Sequence, residues 1–129
     1  MACSDNTIRA GLTPKFKDVD TLLANLTYRT GPPPRFEGKQ LAEGITEFRP
    51  PVAEFAVQTI RGPVRELPAV GASSLLVTLA GGARLCAAGE TIEVRAGDVL
   101  FIGATVGAVH VEDAAADLQI YRAFTPAPN

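Results

Sequence analysis

Apolar and polar positions divide the chain into three stretches of different texture. The last, from Pro51 onward, consists of short apolar runs: Glu54 to Ile60, Ser73 to Leu79, Ala83 to Cys86, Thr91 to Val94, Val99 to Ile102, Ala108 to Val111 and Leu118 to Phe124. They are punctuated by glycine and charge, at Arg61-Gly62-Pro63, Gly81-Gly82, Ala88-Gly89-Glu90, Ala96-Gly97-Asp98 and Gly103. Glycine at such places supplies turn conformations that a β-carbon resists. These seven runs predict an antiparallel all-β domain, a sandwich or a barrel, over residues 52–129.

The two earlier stretches are less regular. Between Thr30 and Pro51, Gly31-Pro32-Pro33-Pro34 and Pro50-Pro51 bracket a polar segment with little periodicity. Successive prolines favour an extended, solvated backbone, so residues 30–51 are expected to form a proline-rich linker or long loop. In residues 1–29, Ala10-Gly11-Leu12-Thr13-Pro14 is a turn signal, and the proline biases Thr13 away from helix. Asp18 or Asp20 then caps a short helix through Thr21 to Leu26, where Leu22, Leu23 and Leu26 recur at helical spacing.

Composition narrows the function classes. A chain of 129 residues with 47% hydrophobic and 20% charged residues is expected to fold around one modest core. Twelve basic residues against fourteen acidic ones, with no long run of either sign, argue against a nucleic-acid or membrane-surface partner. No apolar stretch reaches transmembrane length and Met1 to Asn6 lacks the features of a signal peptide, so a cytoplasmic location is expected. Cys3 and Cys86 lie far apart and outside any Cys-x-x-Cys spacing, and both are read as reduced thiols.

Few residues carry chemistry by themselves. His110 is the only histidine, in the alternating segment Val109-His110-Val111-Glu112, and is read as a solvent-facing strand residue. One imidazole does not make a zinc site. Cys86 has no histidine that the sequence alone places as its base, so it is read as a buried strand thiol. The Ala80-Gly81-Gly82-Ala83 segment lacks the lysine and hydroxyl residue of a P-loop and opens no helix.

Two stretches resemble known families. Gly89 to Ala104 resembles the second half of a cupin, in which a strand, an Ala-Gly-Asp turn and a second apolar strand follow one another. Active cupins usually hold a metal with histidines and a carboxylate on inner strand faces, and those ligands are missing here. Cys3-Ser4-Asp5-Asn6-Thr7-Ile8-Arg9-Ala10-Gly11-Leu12-Thr13-Pro14-Lys15-Phe16-Lys17-Asp18-Val19 is similar to a signature of type I mannose-6-phosphate isomerases. Val99 to Ala104 and Ile120-Tyr121-Arg122-Ala123 follow in that family's order.

The resemblance implies a mainly β fold, a cupin-like antiparallel β-sandwich or jelly roll with a short helix and extended segment at its amino end. Residues 1–29 would be the end of a catalytic region and 52–129 a carboxy-terminal cupin-like domain. It further implies a zinc-dependent aldose-ketose isomerase that interconverts mannose 6-phosphate and fructose 6-phosphate through an enediol-like intermediate, supplying mannose for GDP-mannose and glycosylation. Arg9 matches the family's active-site arginine, and Lys15 the lysine turned toward the substrate phosphate. Arginine offers fixed, directed donors and lysine a compact charge, which suits those tasks. Lys17 lies close enough to face the same cavity. Ser4, Asp5 and Asn6 also match, but such side chains commonly cap turns, and no catalytic role is assigned to them.

The family's zinc ligands, a glutamine, two histidines and a glutamate, lie upstream of this signature, and Met1 matches a methionine inside it. Zinc is therefore expected in the full-length family enzyme and not on this chain, which is expected to be inactive alone. Exposed apolar surface and poor solubility are expected where the catalytic domain would pack. The competing reading is a stand-alone, metal-free cupin module that binds a sugar or a protein partner.

Overall fold

The computed structural model describes residues 8–9, 11–33 and 35–126. The chain divides into two compact units, Met1–Arg35 and Phe36–Asn129. In the first, the regular element among the described residues is helix α1 (Val19–Asn25). Of the two candidate caps, Asp18 takes the position. Its carboxylate accepts the Thr21 N–H at 3.0 Å and the Thr21 hydroxyl at 2.7 Å, satisfying a donor that the first helical turn leaves unpaired. The chain leaves the helix at Leu26 in extended backbone, and no residue of α1 is buried.

The second unit is a two-sheet β structure. Its strands are β1 (Lys39–Ala42), β2 (Ile45–Phe48), β3 (Ala56–Arg61), β4 (Glu66–Leu67), β5 (Ser74–Ala80), β6 (Gly82–Ala87), β7 (Glu90–Arg95), β8 (Val99–Ile102), β9 (Val109–Glu112) and β10 (Gln119–Phe124). One sheet runs β1-β2-β3-β10-β5-β8 and the other β4-β9-β6-β7. Adjacent strands are antiparallel throughout. This is the expected mainly β, cupin-like sandwich.

Burial follows the period of two. On β3, Ala56, Gln58 and Ile60 point inward; on β5, Ser74, Leu76 and Thr78; on β10, Ile120, Arg122 and Phe124. Leu85, Val94, Val109 and Val111 close the core from the smaller sheet. Alternation of this kind removes one face of each strand from water and leaves the other exposed.

The segment expected to be a linker, residues 30–51, instead contains the β1–β2 hairpin, and β2 adds to the large sheet with Ile45 opposite Ile60. All four residues of β1 are exposed, so the strand carries no apolar period of its own and is held by pairing. Gly44 makes the turn at φ +74°, where a β-carbon would collide with the Arg61 carbonyl oxygen. Its own carbonyl accepts the Arg61 N–H at 2.8 Å. The Gly81-Gly82 turn also needs glycine: a β-carbon on Gly81 would come within 2.8 Å of the Leu118 α-carbon.

Candidate functional site

Arg9 and Lys15 both belong to the first unit, and both are exposed. Bends at Gly11-Leu12 and Pro14-Lys15 interrupt the chain between them, and the Lys15 N–H donates to the Thr13 hydroxyl at 3.2 Å. Lys17 is exposed as well. The matched residues Cys3, Ser4, Asp5 and Asn6 lie outside the described residues. Leu12, Phe16 and Tyr28 in the same unit are also exposed, and none of the unit's described residues is buried.

Among the described residues, the inner face of the second unit carries one buried cation. Arg122 is 1% exposed, and its Nε donates to Ser74 Oγ at 3.0 Å and its Nη1 to the Pro68 carbonyl at 2.7 Å. Burial pushes its guanidinium below the ordinary arginine value. Gln58 stands opposite Arg122 in register, and Glu47 opposite Gln58. The Gln58 Nε2 donates to Glu47 Oε2 at 2.9 Å, while Gln58 Oε1 is buried without a protein partner. A polar belt thus runs along the inner face of the large sheet, from Glu47 on β2 through Gln58 on β3 and Arg122 on β10 to Ser74 on β5. Sequence reading placed Arg122 in a family-like run but gave no sign that it is buried, because a charged residue in an alternating strand reads as outward-facing.

This belt is built of an arginine, an amide and hydroxyls, with Glu47 at its end. Zinc takes imidazole, thiolate and carboxylate donors. Among the described residues no group of three or more histidine, cysteine, aspartate or glutamate side chains comes together to hold a metal. Among the described residues, none forms a site that fits the zinc of the resembled family.

Outside the small sheet, polar side chains line up in two rows. Glu93, Arg84 and Glu112 are opposed in register across β7, β6 and β9, and the Arg84 Nη2 reaches Glu112 at 3.1 Å and Asp113 at 2.8 Å. The other row is Thr91, Cys86, His110 and Glu66, from β7, β6, β9 and β4. His110 faces solvent, as its strand pattern predicts. Cys86 differs from its sequence reading: it is half-buried, and the single histidine lies directly across from it. The 24-residue separation of the two hides this pairing from any local pattern; only strand register brings them together.

Three clefts open on the described part of the second unit, and the one lined by Arg84, Arg95, Glu93 and Asp113, of about 240 Å³, balances two basic groups against two acidic ones. The other two differ in character. One, of about 120 Å³, is lined by Leu85, Ile92, Leu100, Val106 and Val109 with Glu90 as its charged group. It is apolar and smaller than the roughly 300 Å³ at which small-molecule pockets begin. The other, of about 430 Å³, sets Glu43 and Glu66 against Arg65, an acidic balance that disfavours a sugar phosphate. Arg9 and Lys15 therefore stand on the first unit, and these clefts on the second.

No family model matches the chain. Curated relatives do. Mannose-6-phosphate isomerase 2 of Arabidopsis thaliana is 39% identical over 126 residues, covering 95% of this chain and 28% of the relative. A probable mannose-6-phosphate isomerase of Caenorhabditis elegans is 39% identical over 136 residues, covering 99% of this chain and 32% of the relative. Among solved structures, the mannose 6-phosphate isomerase of Salmonella typhimurium bound to substrate and to zinc superposes with a TM-score of 0.78 at 26% identity. That match covers 98% of this chain and 32% of the solved one. The chain thus spans about a third of the length of the relatives it matches. In sequence and in fold it belongs to the mannose-6-phosphate isomerase family, corresponding to a carboxy-terminal portion of these enzymes.

Proposed function

We propose that this chain is part of a zinc-dependent aldose-ketose isomerase that interconverts mannose 6-phosphate and fructose 6-phosphate in the cytoplasm. The observation that carries the reading is the match to mannose-6-phosphate isomerases along nearly the whole chain, which includes the segment bearing Arg9 and Lys15. In this reading Arg9 is the fixed cation that stabilises negative charge developing on the sugar oxygens as a proton moves between neighbouring carbons. Lys15 holds the substrate phosphate as a compact charge. A zinc ion would be held by residues outside this chain, so the 129-residue chain has no turnover of its own.

The surfaces support incompleteness. In the first unit Leu12, Phe16 and Tyr28 are more than two-thirds exposed, and no residue of α1 is buried. On the second unit, Leu75 stands opposite Phe101 and Val77 opposite Val99 on the outer face of the large sheet, all open to solvent. Contiguous apolar surface of this kind marks a place where other protein packs. The competing reading, a stand-alone metal-free cupin module binding a sugar or protein partner, has the second unit's own hydrophobic core in its favour.

A coupled isomerase assay with added zinc tests the proposal. The isolated chain is expected to show no turnover, and turnover at the rate of a full-length relative would sink that part. In a full-length parent enzyme, Arg9→Ala is expected to lower kcat by about two orders of magnitude or more, the usual cost of removing a donor to developing charge. Unchanged turnover would remove Arg9 from the site. A parent with no isomerase activity at all would favour the stand-alone binding module.

A further inference from the structure

The two outer strands of the large sheet are finished differently. At one edge, β1 carries Lys39 and Gln40, and its register is irregular between Gln40 and Ala42. Charge and bulges of this kind deter another strand from pairing. At the other edge, β8 reads Val99-Leu100-Phe101-Ile102, without charge, proline or a register shift. Among the described residues it pairs with β5 alone, and Val99 and Phe101 are 63% and 64% exposed. An uncharged apolar edge is a template for a further strand.

The ladder shows which backbone groups are open. The Thr78 N–H donates to the Asp98 carbonyl at 3.0 Å, and bonded pairs alternate with unbonded ones along an antiparallel ladder. Leu100 and Ile102 therefore exchange bonds with Leu76 and Ser74, their partners in register. The N–H and C=O groups of Val99 and Phe101 point the other way, toward the free edge.

That edge is complementary to itself. When two copies meet antiparallel about a two-fold axis through Leu100, Val99 of each lies opposite Phe101 of the other, and each such pair exchanges both of its main-chain bonds. The Val99 and Phe101 side chains then stand side by side on the outer face, where aromatic and β-branched cross-strand neighbours attract. The Leu100 side chains meet on the inner face, beside the apolar cleft of about 120 Å³ that Leu100 lines. Asp98 falls opposite Ile102, and its carboxylate is held in its own turn by the Arg95 N–H at 2.8 Å, so no like charges meet. Gly97 and Gly103 follow at the two ends, opposite one another. The Lys39-bearing edge at β1 keeps the assembly closed at two copies.

We propose that β8 is the seat of a two-fold interface with a second copy of this chain, which joins the two large sheets edge to edge through Val99 and Phe101. The inference concerns the second unit alone and does not rest on the isomerase reading.

Sedimentation velocity of the full 129-residue chain, from about 1 μM to about 1 mM, tests this together with amide hydrogen exchange. A reversible monomer–dimer equilibrium is expected, because a four-residue edge buries less than the roughly 1,600 Å² of a standard stable interface. Protection of the Val99 and Phe101 amides is expected to rise with concentration, while Leu100 and Ile102 are protected throughout. Phe101→Pro removes an edge N–H and no bond to β5. It is expected to weaken dimerisation about tenfold or more, the combined effect of one main-chain bond lost from each copy. Leu79→Lys, on the exposed face of β5, is expected to leave dimerisation unchanged. A monomer at every concentration overturns the proposal and leaves the edge to a different protein. A dimer that survives Phe101→Pro, or whose Val99 and Phe101 amides stay unprotected, overturns it too, and loss of that dimer in Leu79→Lys would assign it to stacked sheet faces. The exchange measurement uses the unaltered chain, so its outcome stands however the proline variant folds.

Discussion

The two units of this chain divide what a functional domain usually combines. Phe36–Asn129 has a closed apolar core, with Ile60, Leu67, Leu76, Leu118 and Ile120 essentially inaccessible to solvent. Met1–Arg35 has Arg9 and Lys15, the residues matched to substrate, on a segment whose helix buries nothing. Stability and proposed chemistry thus sit on different lengths of sequence. The difference teaches that family-like motifs and a folded core are separate pieces of information: the first points to the family, and the second identifies the part able to hold itself together.

The comparison breaks most directly if core damage spares the second unit. Ile60 is fully buried near the end of β3, opposite both Ile45 and Ile120. Ile60→Ala removes three carbons from a packed site and is expected to cost about 2–5 kcal/mol, measured as a lower urea midpoint of the β signal in circular dichroism. A shift of less than about 0.5 kcal/mol, the range of ordinary surface changes, would mean that the sandwich core is not what holds this unit.

A smaller effect is expected at the polar belt. Arg122→Met removes the desolvation that depresses the guanidinium, but it strips Ser74 Oγ and the Pro68 carbonyl of their donors. Unpaired buried polar groups cost about 1–3 kcal/mol each, and relief of a buried charge offsets part of that. A net loss of about 1–3 kcal/mol is expected in the same urea measurement. Adding Ser74→Ala removes the orphaned hydroxyl with the donor, so the double variant is expected to lose less than the sum of the two singles. Strict additivity would show that the Arg122–Ser74 bond carries no stability.

How much of this was readable beforehand follows from where the information lies. Seven of the eight strands after Pro51 are legible because alternation and glycine turns are local properties, and β3 and β5 to β10 fall within two residues of the runs that predict them, while the two-residue β4 is too short to show a period. Hairpin β1–β2 was not legible. Lys39-Gln40-Leu41-Ala42 is exposed throughout, and in β2 Ile45 is the one buried residue, so the strand character comes from pairing with β3. The same holds for the sites. Arg9 and Lys15 sit in a continuous motif, whereas the neighbours of Cys86 come from two other strands and those of Arg122 from distant positions.

The smallest effect sharpens the comparison on the other side, in the first unit. The backbone N–H and then the hydroxyl of Thr21 hold the Asp18 carboxyl below its ordinary value of 3.8, because both donate to the charged form. An acid whose value is lowered by folding stabilises the folded form above its unfolded value and loses that contribution as pH falls through the lowered one. The cap is therefore expected to contribute fully above pH 3.8 and to fail only as pH falls further, through the lowered value. The helix it serves buries nothing, so the loss has no core to propagate into. Acidification, or Asp18→Asn at neutral pH, is expected to weaken the amide protection of Thr21 and Leu22 in hydrogen exchange while leaving β3, β5 and β10 protected. Loss of protection in the strands together with the helix would show that the two units share one cooperative transition, and the division between core and chemistry would fall.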